Sequence, residues 1–180
     1  MAALVLLCAA CGQPGRAPDK APAKANAAPQ APRFVRLYLA RNGLELVDNA
    51  GGSRMVPFGT PEAAARALVE RVTDRPDART ADPHCRVQPR IRLDYPGGLA
   101  LHFEAGRFVA WEQSSDPAYA MRGGVAIDSP RAALRALGPV ALRRVNVTDV
   151  PIEEFTVGGV SGVLLGGRVR DFTAGESACR

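Results

Sequence analysis

His84 and His102 are the only two histidines in the chain, and their neighbours define the chemistry to be considered. His102 lies in Leu99-Ala-Leu-His-Phe-Glu104, a run that alternates apolar and polar residues like a strand. A two-residue turn at Ala105-Gly106 would place Glu104 opposite Arg107, His102 opposite Val109 and Ala100 opposite Trp111. On that register His102, Glu104, Arg107 and Trp111 share one face. Such a cluster suits a ligand, or a protein partner anchored on Trp111. The plainer arrangement is a Glu104–Arg107 cross-strand ion pair with Trp111 covering core. His84 stands between Asp82-Pro83 and Cys85, but these potential ligands lack a recognised spacing and have no second cluster to complete four-coordination, so no metal is expected. Ser161 is not a nucleophile elbow, because Val163 stands where the last glycine of Gly-x-Ser-x-Gly belongs. No phosphate-cradling Gly-x-x-x-x-Gly-Lys occurs. Glu153 and Glu154 are adjacent, and neighbouring strand residues point to opposite faces, so they are poor acid–base partners. The residues therefore predict no catalytic site, no cofactor and no enzyme.

The elements that must position this cluster follow from an internal repeat. Val56-Pro-Phe-Gly-Thr-Pro-Glu-Ala-Ala-Ala-Arg-Ala-Leu68 matches Val125-Ala-Ile-Asp-Ser-Pro-Arg-Ala-Ala-Leu-Arg-Ala-Leu137 at an offset of 69. In each copy a short strand runs into Thr60 or Ser129 as a helix N-cap, with Pro61 or Pro130 at the first helical position. Ala65, Leu68 and Val72 form the apolar stripe of the first helix, and Ala133, Leu134 and Leu137 that of the second. Further on, Phe103-Glu-Ala-Gly-Arg-Phe-Val-Ala-Trp111 matches Leu164-Leu-Gly-Gly-Arg-Val-Arg-Asp-Phe172 at an offset of 61. Ala105-Gly106 and Gly166-Gly167 read as hairpin turns. Arg41-Asn42-Gly43 marks another hairpin ahead of both copies. The expected fold is α+β: a tandem repeat of strand, helix and antiparallel strands, with helices packed on one face of a mainly antiparallel sheet. The folded domain is expected over 33–180, with repeat one at about 51–115 and repeat two at about 119–180.

The N-terminal residues point to export. Residues 2–10, AALVLLCAA, are apolar and too short to span a bilayer. They lead into Ala9-Ala10-Cys11-Gly12, which resembles the lipobox of bacterial lipoproteins. That resemblance implies a signal peptide over 1–10, lipid on Cys11, and a membrane anchor. Cys8 stands where the lipobox usually has Leu, and no basic residue precedes the apolar run. In the lipoprotein family an Asp after the cysteine often marks inner-membrane retention, so Gly12 favours the outer membrane, with the domain facing the periplasm. Residues 12–32 carry five prolines and seven alanines and no large hydrophobic, which reads as a flexible tether over 11–32. At about 3.1 Å per residue it reaches roughly 65 Å. With Cys8 removed and Cys11 lipidated, Cys85 and Cys179 remain as an even pair in an exported domain. A Cys85–Cys179 disulfide is expected, stabilising by about 4–5 kcal/mol in the chain-entropy model.

The 180 residues are 47% hydrophobic and 23% charged, which suits a folded domain rather than a disordered chain. The net charge is +5, of which Arg16, Lys20, Lys24 and Asp19 place +2 in the tether. The remaining cations are all arginine, with groups at Arg86, Arg90 and Arg92, at Arg143 and Arg144, and at Arg168 and Arg170. These suit anionic envelope polymers or an acidic partner surface. Nucleic acid is not expected, because aromatic residues do not interleave the cations. The folded part, roughly 51–180, also resembles the tandem-repeat group of the β-lactamase inhibitor protein and the small lipoproteins of outer-membrane assembly. That likeness rests on the pattern of strand, Phe-Gly-Thr or Ile-Asp-Ser, helix and hairpin, and it implies binding of other proteins. The expected function is a lipid-anchored envelope protein that binds an envelope protein partner. A small-ligand or envelope-polymer binding module is the alternative.

Overall fold

The computed structural model describes residues 33–81, 90–145 and 152–176. The signal peptide, Cys11, the tether, His84 and the pair Cys85 and Cys179 lie outside the described residues.

Twelve strands dominate the described chain, and the expectation of helices layered on a sheet is overturned. The molecule is a β-rich fold of two sheets. β1 (Phe34–Ala40), β2 (Gly43–Asp48), β3 (Ser53–Pro57) and the short β8 (Ala120–Met121) form a four-stranded sheet in the order β3-β2-β1-β8. The larger sheet has eight strands. One half holds β4 (Ala78–Ala81), β5 (Arg90–Tyr95), β6 (Leu99–Glu104) and β7 (Arg107–Ser114). The other holds β9 (Val140–Val145), β10 (Ile152–Val157), β11 (Val160–Leu165) and β12 (Arg168–Gly175). Their order is β4-β5-β6-β7-β12-β11-β10-β9, antiparallel throughout. Each half is thus a meander, and the halves join where β7 meets β12.

The helical content is small for physical reasons. α1 (Glu62–Val69) has eight residues and buries Ala65, Leu68 and Val69. Its counterpart, Arg131–Leu137, closes as a 3₁₀ helix burying only Leu134. Neither start is capped by a side chain. Thr60 turns its hydroxyl onto the Pro57 carbonyl, and the Ser129 hydroxyl accepts from the Ala126 N–H. Pro61 and Pro130 themselves hold the cap position in extended conformation. Elements this short gain little stability on their own and depend on the sheets for burial.

The two copies make the same backbone bonds. Gly59 N–H donates to Phe108 O at 2.7 Å, Phe108 N–H to Thr60 O at 2.8 Å, and Glu62 N–H to Gly106 O at 2.8 Å. Asp128, Val169 and Arg131 repeat this set with Val169, Ser129 and Gly167 at 2.8, 3.0 and 2.9 Å. Arg107 Nη1 donates to Gly59 O, and Arg168 Nη1 donates to Asp128 O. Each helix start is therefore pinned to a hairpin tip.

A single apolar core lies between the sheets. One row of directly opposed residues crosses seven strands: Leu93, Leu101, Trp111, Ala174, Val160, Val157 and Val140. The first six are almost wholly buried. The adjacent row, Asp94, Ala100, Glu112, Thr173, Ser161, Thr156 and Ala141, faces outward. This polar outer row carries the groove described next.

Candidate functional site

The β6–β7 hairpin does not keep the simple two-residue register. Glu104 pairs with Arg107 and Phe103 with Phe108, but His102 pairs with Ala110 and Leu101 with Trp111. Val109 is the extra residue of a β-bulge, and every side chain beyond it changes face. A matching shift lies between Val163 and Leu164 on β11, which leaves Arg170 as the extra residue on β12. The bulges turn Trp111 and Phe172 inward, where their rings meet edge to face at 5.6 Å.

This geometry divides the expected cluster. His102 and Glu104 stay on the outer face. Trp111 is fully buried on the inner face, with its indole N–H donated to Ala40 O at 2.7 Å. Arg107 leans away to the Gly59 carbonyl. Glu104 pairs with buried Arg90 at 3.0 Å, and Arg90 Nη1 also donates to Glu176 O at 2.7 Å.

The outer face instead gathers a groove of about 250 Å³ lined by Arg90, Arg92, His102, Glu112, Asp171 and Thr173, with Ala110 beneath. Arg92 bridges two carboxylates, donating Nε to Asp94 at 2.6 Å and Nη1 to Glu112 at 2.7 Å. His102 Nε2 sits 3.5 Å from the same Glu112 oxygen. His102 Nδ1 is buried and has no hydrogen-bond partner among the described residues. The His102 contact, together with the charge and hydrogen bond of Arg92, pulls the Glu112 carboxyl down to about 2 against the opposing effect of burial. Asp171 moves the other way: burial, then the charge of Glu112, raises it, and a bond to the Val163 backbone only partly offsets this.

The folded value of Glu112 lies below its ordinary 4.5, so its ionised form stabilises the fold above that pH. The contribution fades as pH falls from 4.5 toward 2. Because the side chain is one-third exposed, solvent screening limits the effect to about 1 kcal/mol. Urea midpoints at neutral and strongly acidic pH check this. Glu112→Gln should be less stable than the native chain at neutral pH, and the gap should close in acid. A gap that persists in acid would remove the carboxylate from the account.

The groove is built of paired charges, Arg92 with Asp94 and Glu112 and Arg90 with Glu104. Thr173 gives its hydroxyl to Trp111 O at 2.7 Å rather than to His102. Among the described residues no group of three His, Cys, Asp or Glu side chains is placed to hold a metal ion.

A second surface lies at the other end of the sheet. A cleft of about 550 Å³ opens between the 3₁₀ helix and β9, lined by Arg131, Ala132, Arg135, Pro139, Val140 and Leu142. Leu142 is 43% exposed, among the few large hydrophobic side chains so open in the described chain. Arg131 pairs with buried Glu153, and Arg143 pairs with Glu154. Arg135 and Arg144 have no carboxylate partner among the described residues.

Sequence reasoning found the Arg143-Arg144 group but not the cleft, because a gap between elements leaves no local signature. It also missed Asp94, Glu112 and Asp171. The spacing of Phe108 and Trp111 held the missing signal. Two bulky apolar residues three apart on one strand can both face a core only if an extra residue intervenes. Searches of family models, of curated proteins and of solved structures found no match to this chain.

Proposed function

We propose that the chain is a non-catalytic module of the cell envelope that binds a protein partner, anchored by lipid at Cys11 and facing the periplasm. The lipobox-like Ala9-Ala10-Cys11-Gly12 and the Ala/Pro-rich segment behind it support the anchor. The observation that carries the binding reading is β9, an edge strand among the described residues, beside an apolar-floored cleft. An edge strand offers backbone donors and acceptors to another chain, and natural folds usually cover or blunt it. Here exposed Leu142 lies on that edge.

A photo-crosslinking residue placed at Ala141 on β9 tests the reading in intact envelopes, with one at Ser161 on the outer face as the control. A reproducible protein adduct from β9 and not from Ser161 is the expected result. Equal adducts at both positions, or none at β9, would overturn it.

A second reading places a small polar ligand or an envelope polymer strand in the outer-face groove. It is favoured by the unpartnered His102 Nδ1. Buried Trp111 cannot stack on such a ligand. The direct measurement is the imidazole NMR signal of His102 during titration with envelope glycans. An unmoved signal removes this reading.

A further inference from the structure

We infer that the partner presents an extended acidic segment, which adds as a strand to β9, seats an apolar side chain in the cleft and sets carboxylates against Arg135 and Arg144. The inference rests on the partner-binding reading above and names the chemistry of the partner.

Register supplies the first argument. Val140, Leu142 and Arg144 stand opposite Val157, Phe155 and Glu153, so they belong to the inner face of the sheet. Phe155, Val157 and Glu153 are buried beneath their own strand. Among the described residues the sheet runs out at β9; Leu142 is left exposed on the lining of the cleft, and Arg144 is exposed two residues further along the same face. A strand laid alongside β9 would turn every second side chain over that cleft. One apolar residue would cover Leu142, and its neighbours two residues away would reach the guanidinium groups. Backbone bonds would give affinity and the alternate side chains specificity.

The repeat supplies the second argument. In the first copy residues 70–77 connect α1 to β4, and Val72 among them packs on the core. In the second copy only Gly138 and Pro139 connect the 3₁₀ helix to β9. The second copy has no segment comparable to 70–77, and there the cleft opens.

Charge supplies the third argument and selects among occupants. Glu153 and Glu154 neutralise Arg131 and Arg143, which leaves Arg135 and Arg144 to be matched by a ligand. The chain's own segment 12–32 carries Arg16, Lys20 and Lys24 against one Asp19, so like charge disfavours it. A second copy paired edge to edge would crowd Arg143 and Arg144 of both chains into one ladder. An acidic segment alone meets both the apolar floor and the free cations.

The test uses the full chain in detergent with three labelled octapeptides, Thr-X-Thr-Val-Thr-X-Thr-Thr with X as glutamate, glutamine or lysine, which set X two residues either side of valine on one strand face, read by fluorescence anisotropy. The glutamate peptide should bind about tenfold tighter than the glutamine peptide. The lysine peptide should not bind, and added salt should narrow the preference. Arg135→Gln with Arg144→Gln should abolish the preference while leaving the circular dichroism spectrum unchanged. N-methylation of alternate glutamate-peptide amides should abolish binding, because strand addition needs those N–H groups. Equal affinity for the glutamate and glutamine peptides would overturn the acidic chemistry. Undiminished binding of the methylated peptide would overturn strand addition. If no peptide binds while the β9 crosslinker still captures a protein, this inference falls and partner binding stands. If the crosslinker also captures nothing, both fall.

Discussion

Trp111→Ala should lower the unfolding free energy by about 3–5 kcal/mol and the melting midpoint by about 10 °C or more. The indole is fully buried in the cross-sheet row that runs from Leu93 to Val140, on the strand where the two halves of the sheet meet. Its ring packs edge to face on Phe172, with the planes at 86°. Its N–H reaches Ala40 O on β1, so one side chain ties the large sheet to the small one. Truncation would open a cavity at the join of the two halves and leave the Ala40 carbonyl without this donor. Trp111→Phe separates these losses. It keeps an aromatic ring beside Phe172 but removes the bond to Ala40, at a cost of about 1–3 kcal/mol. Urea unfolding followed by far-ultraviolet circular dichroism reads both variants, since the chain's one tryptophan is the residue removed. A loss below about 1 kcal/mol for alanine would show that the two sheets do not depend on this contact.

That result also bears on what the sequence made legible. The turns at Asn42, Ala105-Gly106 and Gly166-Gly167 were readable because glycine and asparagine tolerate the backbone angles that hairpins need. The strands beside them were readable from alternation. The fold class was misread because Pro61 and Pro130 with alanine-rich runs look like full helix starts, although each run ends after little more than two turns. Tertiary burial decides such short elements, and here the core has room for three residues of α1 and for Leu134. The candidate site was half readable. His102 and Glu104 were placed on the correct face because they lie on β6, the strand without the extra residue. Trp111 was misplaced because it lies on β7 beyond Val109. A one-residue insertion leaves composition and periodicity nearly unchanged yet reverses the face of everything after it. The shortening of the second copy by about eight residues was readable from the change of offset from 69 to 61, but that the loss falls mainly between the 3₁₀ helix and β9, where the cleft opens, is seen only in the fold.

The same close packing makes Gly98→Ala the second large effect, at about 3 kcal/mol of destabilisation. Gly98 closes the β5–β6 turn at φ +74, a region that costs a residue with a Cβ roughly 1–2 kcal/mol. That cost alone is not decisive, because Gly106 has φ +71 with open space around it. At Gly98 an added Cβ would lie 1.9 Å from Ser114 O, a backbone atom. Ser114 cannot withdraw freely. Its N–H is bonded to Gly98 O at 3.0 Å. The neighbouring Gln113, fully buried, donates from Nε2 to both Gly97 O and Asp116 O at 2.7 Å. Relief of the clash would therefore strain three bonds at once and push β6 from β7 at the edge of the groove. Gly106→Ala is the matched control, since it carries the same backbone angle without the approach. It should lose about 1 kcal/mol. Chemical unfolding of the two variants gives the difference directly. Equal losses would mean that the turn angle, and not the contact with Ser114, sets the demand for glycine at Gly98.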